Sequence, residues 1–161
     1  MSRQFKEQYK RIQQILGGKF SDISRRMETL EYYKAYLACA LQFPVEVCGW
    51  EEFSWEEFYL FGPGDKREYE ELKRTKASYT DILRMTRLSD HIEAHNGLFA
   101  HFTRIADRKR FELPSADFKA VDKKSAEAQL LEDYGLPSPN AFPDIHFSVN
   151  SAFKNHIIMW L

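Results

Sequence analysis

The sequence predicts an α+β fold in which an N-terminal helical hairpin packs on a small, SH3-like, antiparallel β-barrel that is followed by a short helix. The first observation is the stretch at residues 109–134, in which turn residues separate two predicted strands, and a predicted helix follows. Compact units of this kind close small barrels. The second is the helical spacing of apolar side chains near the N-terminus. We therefore divide the chain into a helical hairpin (1–42), a barrel domain with an inserted helix (43–134) and a proline-containing tail (135–161).

The hairpin is predicted from two amphipathic segments. The first should end at Gly17-Gly18, and its apolar positions are Phe5, Tyr9, Ile12 and Leu16. The second should begin at a cap on Ser21 or Asp22 and end before Pro44, because proline cannot continue a helix. Two helices joined by so short a connection are expected to lie antiparallel.

The barrel should be built from short strands that alternate apolar and polar residues or are rich in aromatic residues. Asp65 should cap an inserted helix over Lys66–Arg74, and Asn96-Gly97 should form a turn. A last helix should follow Asp122 and Ser125. The predicted strands are Val45–Trp50, Trp55–Phe61, a segment from Ile82 to Leu88, Leu98–Ile105, Arg110–Leu113 and Phe118–Val121.

Charge and composition exclude several classes of protein. With 24 acidic and 23 basic residues, the formal net charge of −1 provides no chain-wide basic field for nucleic acid. A hydrophobic content of 43% is enough for a core and argues against global disorder. The charged N-terminus lacks a signal-peptide core, and no apolar run reaches the roughly 18 residues of a membrane span. We therefore expect a cytoplasmic protein with Cys39 and Cys48 as buried, reduced thiols.

The sequence also lacks the common enzyme motifs. It contains no P-loop, no GxGxxG, no GxSxG and no HExxH. Cys39 falls in the apolar part of a predicted helix, which is typical of a core residue and not of a nucleophile. A non-enzymatic protein is therefore predicted.

The strongest candidate for binding chemistry is a glutamate segment, which we define as residues 51–57 (EEFSWEE). Calcium prefers several hard oxygen ligands, and a bound cation would relieve the repulsion between closely spaced carboxylates. The spacing is not that of an EF-hand. The alternative is a solvated acidic face that flanks buried aromatic residues. The candidate calcium ligands are Glu51, Glu52, Glu56 and Glu57.

Three further features suggest other kinds of site. His91 and His95 have i,i+4 spacing, which could hold zinc on a helix, but the adjacent Asn96-Gly97 favours a loop. The basic stretch 104–110 could contact a nucleic-acid backbone, although a solubilising turn is the more common role. The apolar C-terminal residues 157–161, together with the many aromatic residues, could bind a protein partner or a second copy of the chain.

Two motifs resemble the bacterial CcbP-type calcium-binding proteins. LEYYKAYLACALQFPVEV is similar to that family's helix followed by "FPFEA", with Val45 in place of the second aromatic residue. LPSADFKAVDKKSAEAQLLEDY is similar to its closing signature, although Gly135-Leu136-Pro137 follows the Asp-Tyr pair where the family has a tryptophan-containing ending. The positions that match the closing signature are Leu113, Pro114, Asp117, Val121, Asp122, Ser125, Gln129, Leu130, Asp133 and Tyr134.

This resemblance covers about residues 30–48 and 97–134. It implies the small-barrel fold and calcium binding through surface carboxylates without an EF-hand. Together with the glutamate segment, it predicts a low-affinity calcium-binding protein, with a protein-interaction module as the alternative and nucleic-acid binding less favoured.

Overall fold

The structure, a computed structural model, describes residues 3–17 and 27–135. In this part of the chain the elements are helices α1 (Arg3–Leu16) and α2 (Met27–Ala40), strand β1 (Val45–Gly49), helices α3 (Ser54–Leu60) and α4 (Lys66–Lys73), strands β2 (Leu83–Glu93), β3 (Gly97–Arg104) and β4 (Arg110–Pro114), a 3-10 turn (Ser115–Asp117), strand β5 (Phe118–Ala120) and helix α5 (Ala126–Gly135). The predicted α+β class is confirmed. The predicted cap at Ser21 or Asp22 and the tail from residue 136 lie outside the described residues.

The five described strands form one antiparallel sheet in the order β4-β3-β2-β1-β5. In its longest ladder, β2 with β3, Leu83 lies opposite Arg104 and Glu93 lies opposite Gly97. The turn between these strands therefore includes Asn96, as predicted. β5 forms the edge of the sheet opposite β4, where Phe118–Ala120 pairs with β1.

The sheet is open, and the predicted closed barrel is wrong. Among the described strands, β4 pairs only with β3 and β5 pairs only with β1, so the two edge strands are not hydrogen-bonded to each other. The 3-10 turn carries the chain directly from one edge of the sheet to the other. β5 is only three residues long, and its ladder with β1 uses all three of them.

Two helices pack against the sheet, and a third packs against both of them. α2 packs on β2 and β3, and α5 packs on β5 and the 3-10 turn. α1 contacts both α2 and α5, and the Arg11 guanidinium donates two hydrogen bonds of 2.6 Å to the Asp133 carboxylate. The apolar side chains buried between the helices and the sheet include Leu30, Leu37, Val47, Met85, Phe102 and Leu131.

The segment Trp55–Phe61, predicted as a strand, instead belongs to helix α3. Its aromatic residues are typical of a strand, but the side chain of Glu56 accepts a hydrogen bond from the backbone N–H of Phe53 and so stabilises the first turn of a helix. The next prediction is confirmed, since Asp65 caps α4 by accepting a hydrogen bond from the Glu68 N–H at 3.0 Å.

None of the described helices is long and apolar enough to cross a membrane.

Candidate metal centre

The glutamate segment joins β1 to α3 and forms the first turn of that helix. Gly49 ends β1 in close contact with the loop at residues 78–80, and a Cβ atom there would lie 2.8 Å from Cβ of Tyr79. The Gly49 N–H donates to the Tyr79 carbonyl at 3.2 Å, and the Trp50 N–H donates to the Asp117 carbonyl at 3.0 Å. The segment is therefore held between this loop and the 3-10 turn.

Glu56 is fully buried, unlike the other three glutamates of the segment. Its Oε2 accepts hydrogen bonds from the backbone N–H groups of Phe53 and Tyr79, each at 3.0 Å. Its Oε1 accepts from the Tyr69 hydroxyl at 2.9 Å and from the Ser78 hydroxyl. Both carboxylate oxygens are thus engaged by uncharged donors, and we leave Glu56 out of the candidate ligand set.

The other three glutamates contribute to an acidic cluster, which we define as Glu51, Glu52, Glu57 and Asp117. Partial burial, followed by the charges of Glu52, Glu57 and Asp117, raises the pKa of Glu51 to about 7. Partial burial and the charge of Glu52 also raise the pKa of Glu57. These carboxylates are therefore close enough to repel one another, and near neutral pH the repulsion is relieved in part by a proton on Glu51.

Asp117 enters this cluster through the pairing of β5 with β1. It is the last residue of the 3-10 turn. Protein atoms packed near its carboxylate exclude water from it and raise the pKa of Asp117 to about 6, although the residue as a whole is exposed. In the sequence, Asp117 is marked only by its place in the closing motif. Its proximity to Glu51 depends on strand order, which short-range patterns do not reveal.

The cluster is not a preassembled coordination site. Within residues 3–17 and 27–135, no three or more His, Cys, Asp or Glu side chains are placed so that they could hold a metal ion. The cluster glutamates are partly exposed, so their side chains can rotate toward a shared cation, and water can supply further oxygen ligands. Such an arrangement suits a weakly held calcium ion better than a rigid transition-metal centre.

The histidine pair does not lie on one face of a helix. His91 is in β2, where its ring stacks on Phe99 with centroids 4.3 Å apart, and its Nε2 lies 2.9 Å from the Glu93 carboxylate. His95 lies in the turn that follows β2. The structure therefore gives no support to the zinc alternative.

The basic stretch 104–110 is partly internal. Arg104 is 5% exposed, and its guanidinium forms ion pairs of 2.9 and 2.8 Å with Asp81 and Asp107. It also donates to three main-chain carbonyls at the end of α4, those of Lys73, Arg74 and Lys76. The most buried cation of the stretch thus joins the β3–β4 hairpin to α4 and is not free to contact a nucleic-acid backbone.

Comparison with solved structures identifies a protein of similar fold. The crystal structure of Anabaena CcbP superposes with a TM-score of 0.52 and 12% sequence identity, over 80% of this chain and 86% of that chain. No protein-family model and no curated protein sequence matches the chain. The resemblance to the CcbP-type proteins is therefore confirmed at the level of the fold, and the chain shares the fold of Anabaena CcbP.

Proposed function

We propose that this chain is a non-enzymatic protein that binds calcium weakly through Glu51, Glu52 and Glu57, with Asp117 as a fourth carboxylate. The observation that carries the proposal is the proximity of Glu52, Glu57 and Asp117 to Glu51, whose pKa is raised first by partial burial and then by the repulsion of these three charges. A divalent cation would replace this repulsion with attraction to several carboxylates at once.

Calcium fits the cluster better than other common metals do. It accepts six to eight oxygen ligands in flexible geometry, so it tolerates partly exposed carboxylates and several waters. Magnesium demands a stricter octahedral arrangement and gives up its water reluctantly. The ligand side chains must rearrange to coordinate the ion. Because ordering them costs entropy, the affinity should be low.

Glu56 has a supporting role in this proposal. Its hydrogen bonds to Tyr69, Ser78 and Tyr79 fix the first turn of α3 against α4 and the 78–80 loop. That contact sets the position of Glu57, which is the next residue of the same turn.

The two sequence motifs resemble those of the CcbP-type calcium-binding proteins, which supports calcium as the ligand, and the shared fold agrees with that resemblance. The same resemblance favours a binding role over an enzymatic one. A cytoplasmic location in a bacterial cell stays a prediction.

Isothermal titration calorimetry with calcium tests the proposal. The full chain should release or absorb heat at millimolar calcium, and the triple variant Glu51→Gln, Glu52→Gln and Glu57→Gln should lose this signal.

The control variant carries three substitutions at exposed positions elsewhere, namely Glu28→Gln, Glu31→Gln and Glu70→Gln. It removes the same formal charge and should titrate like the parent chain. Equal losses in the two triple variants would show that only net charge matters and would contradict a local site.

A further inference from the structure

The C-terminal end of α3 and its cap residue carry three exposed apolar side chains, which we define as the aromatic face: Phe58, Leu60 and Phe61. Phe61 is 72% exposed, Phe58 is 54% exposed and Leu60 is 37% exposed. Phe58 lies in the last turn of α3 and Phe61 is the C-terminal cap residue that follows it, so the two exposed rings lie at the same end of the helix. Large apolar side chains this exposed and this close together are typical of a surface that a partner covers.

The aromatic face is supported by a group of packed aromatic rings from α3 and α4. The ring of Phe58 meets that of Tyr59 edge-on with centroids 5.2 Å apart, and Tyr59 stacks on Tyr69 at 5.7 Å. Trp55 packs on the same Tyr69, and its indole N–H donates to the Ala77 carbonyl at 2.9 Å. The face is therefore preformed, and binding of a partner would not carry the entropy cost of ordering the helix.

The charges beside this face indicate the chemistry of the partner. Glu57 lies one turn before Phe61 on the same side of α3, and it interacts electrostatically with Glu52 of the acidic cluster. On the α4 side, the Nζ atoms of Lys73 and Lys76 lie 5.3 Å from the centres of the Tyr69 and Trp55 rings, so these two cations are already engaged by the rings behind the face. An apolar surface bordered by a concentration of carboxylates attracts cationic segments and repels anionic ones.

We propose that the aromatic face and the adjacent Glu57 form a docking surface for a partner protein that presents a cationic amphipathic segment. The apolar side of that segment would cover Phe58, Leu60 and Phe61, and its Lys or Arg side chains would meet the carboxylates of Glu57 and Glu52. The repulsion that these carboxylates exert on phosphate groups argues against nucleic acid or an anionic membrane as the occupant.

Fluorescence anisotropy with two synthetic peptides tests this inference. The first is a labelled amphipathic helix of leucine and lysine, and the second is the same helix with glutamate in place of every lysine. The full chain is titrated into each peptide in the presence of EDTA, so that calcium binding does not affect the result. The lysine peptide should bind, and the glutamate peptide should not.

Variants locate the surface. Phe58→Ser with Phe61→Ser should weaken binding of the lysine peptide at least about tenfold, and Glu57→Gln should weaken it about threefold. The control, Ile82→Ser with Ile105→Ser, removes two apolar side chains that are 40% and 43% exposed outside the face, and it should bind like the parent chain. Equal binding of the two peptides, or no effect of the Phe58 and Phe61 substitutions, would overturn the proposal.

Two other occupants give different results, and either would also overturn it. If a second copy covers the face, light scattering should show a dimer that the Phe58 and Phe61 substitutions dissociate. If residues 136–161 cover it, the full chain should not bind the lysine peptide, and a chain ending at Gly135 should bind it.

Discussion

Glu51, Glu56 and Glu57 share one residue type and one short segment, yet the structure gives them different environments. Glu56 is buried with four uncharged hydrogen-bond donors, whereas Glu51 and Glu57 are partly exposed among other carboxylates. The sequence identifies an acidic segment but does not reveal which side chain points inward. That depends on Tyr69 and Ser78, which are far along the chain and supply the hydroxyl donors.

The raised pKa of Glu51 predicts a pH dependence of stability. In the folded state its pKa is about 7, compared with an ordinary value of 4.5. The folded protein therefore holds a proton that the unfolded chain releases. This contribution to stability is fully present below about pH 4.5 and is lost as the pH rises through 7.

We expect Glu51→Gln to remove this part of the pH dependence. Urea unfolding of the calcium-free protein should give a difference in unfolding free energy between Glu51→Gln and the parent chain that grows in favour of the variant from pH 4.5 to pH 7. Because Glu51 is partly exposed, solvent screening limits this change to roughly 1 kcal/mol. Glu28→Gln serves as the exposed control. Parallel pH profiles for the parent chain and Glu51→Gln would show that neither burial nor the neighbouring carboxylates raise the pKa of Glu51.

Helix α3 shows how tertiary contacts override local preference. Its sequence, SWEEFYL, is rich in aromatic residues and was predicted as a strand, but Trp55 and Tyr59 pack on Tyr69 of α4 and Glu56 bonds to the 78–80 loop. Helix α4 was predicted correctly because its signals are local, namely the Asp65 cap and the short amphipathic repeat. The strands of the β3–β4 hairpin were likewise evident from alternation and a short turn.

The hydrogen bonds of Glu56 predict that α3 depends on this one side chain. Glu56→Ala leaves two hydroxyl and two backbone donors without their acceptor, and it should lower the free energy of unfolding by about 3 kcal/mol. Glu56→Gln keeps the shape and one oxygen acceptor, so it should cost about half as much. Urea denaturation measures both changes.

The matched control for this experiment is Glu57→Ala, one position along the same helix. Its side chain is partly exposed and has like-charged neighbours, so its loss should change the unfolding free energy by less than about 0.5 kcal/mol. If Glu56→Ala and Glu57→Ala destabilise the protein equally, Glu56 does not anchor the helix.

For the whole molecule, the α+β class could be predicted from the sequence, but the closure of the sheet could not. Each strand has a local signature, whereas the choice of which strands become edges depends on long-range pairing. The same limit applies to the candidate site. Glu51, Glu52 and Glu57 lie within seven residues of each other in the sequence. Asp117 lies near Glu51 only because β5 pairs with the neighbouring strand β1.

A calcium titration of the isotope-labelled full chain at neutral pH, followed by backbone amide NMR shifts, reports both whether and where calcium binds. If the ion binds at the acidic cluster, we expect saturable shifts at millimolar calcium that are concentrated in residues 50–57 and 115–118. No shifts up to about 10 mM calcium, roughly ten times the dissociation constant of the weakest protein calcium sites, or shifts centred on another part of the molecule, would show that calcium does not bind at this cluster.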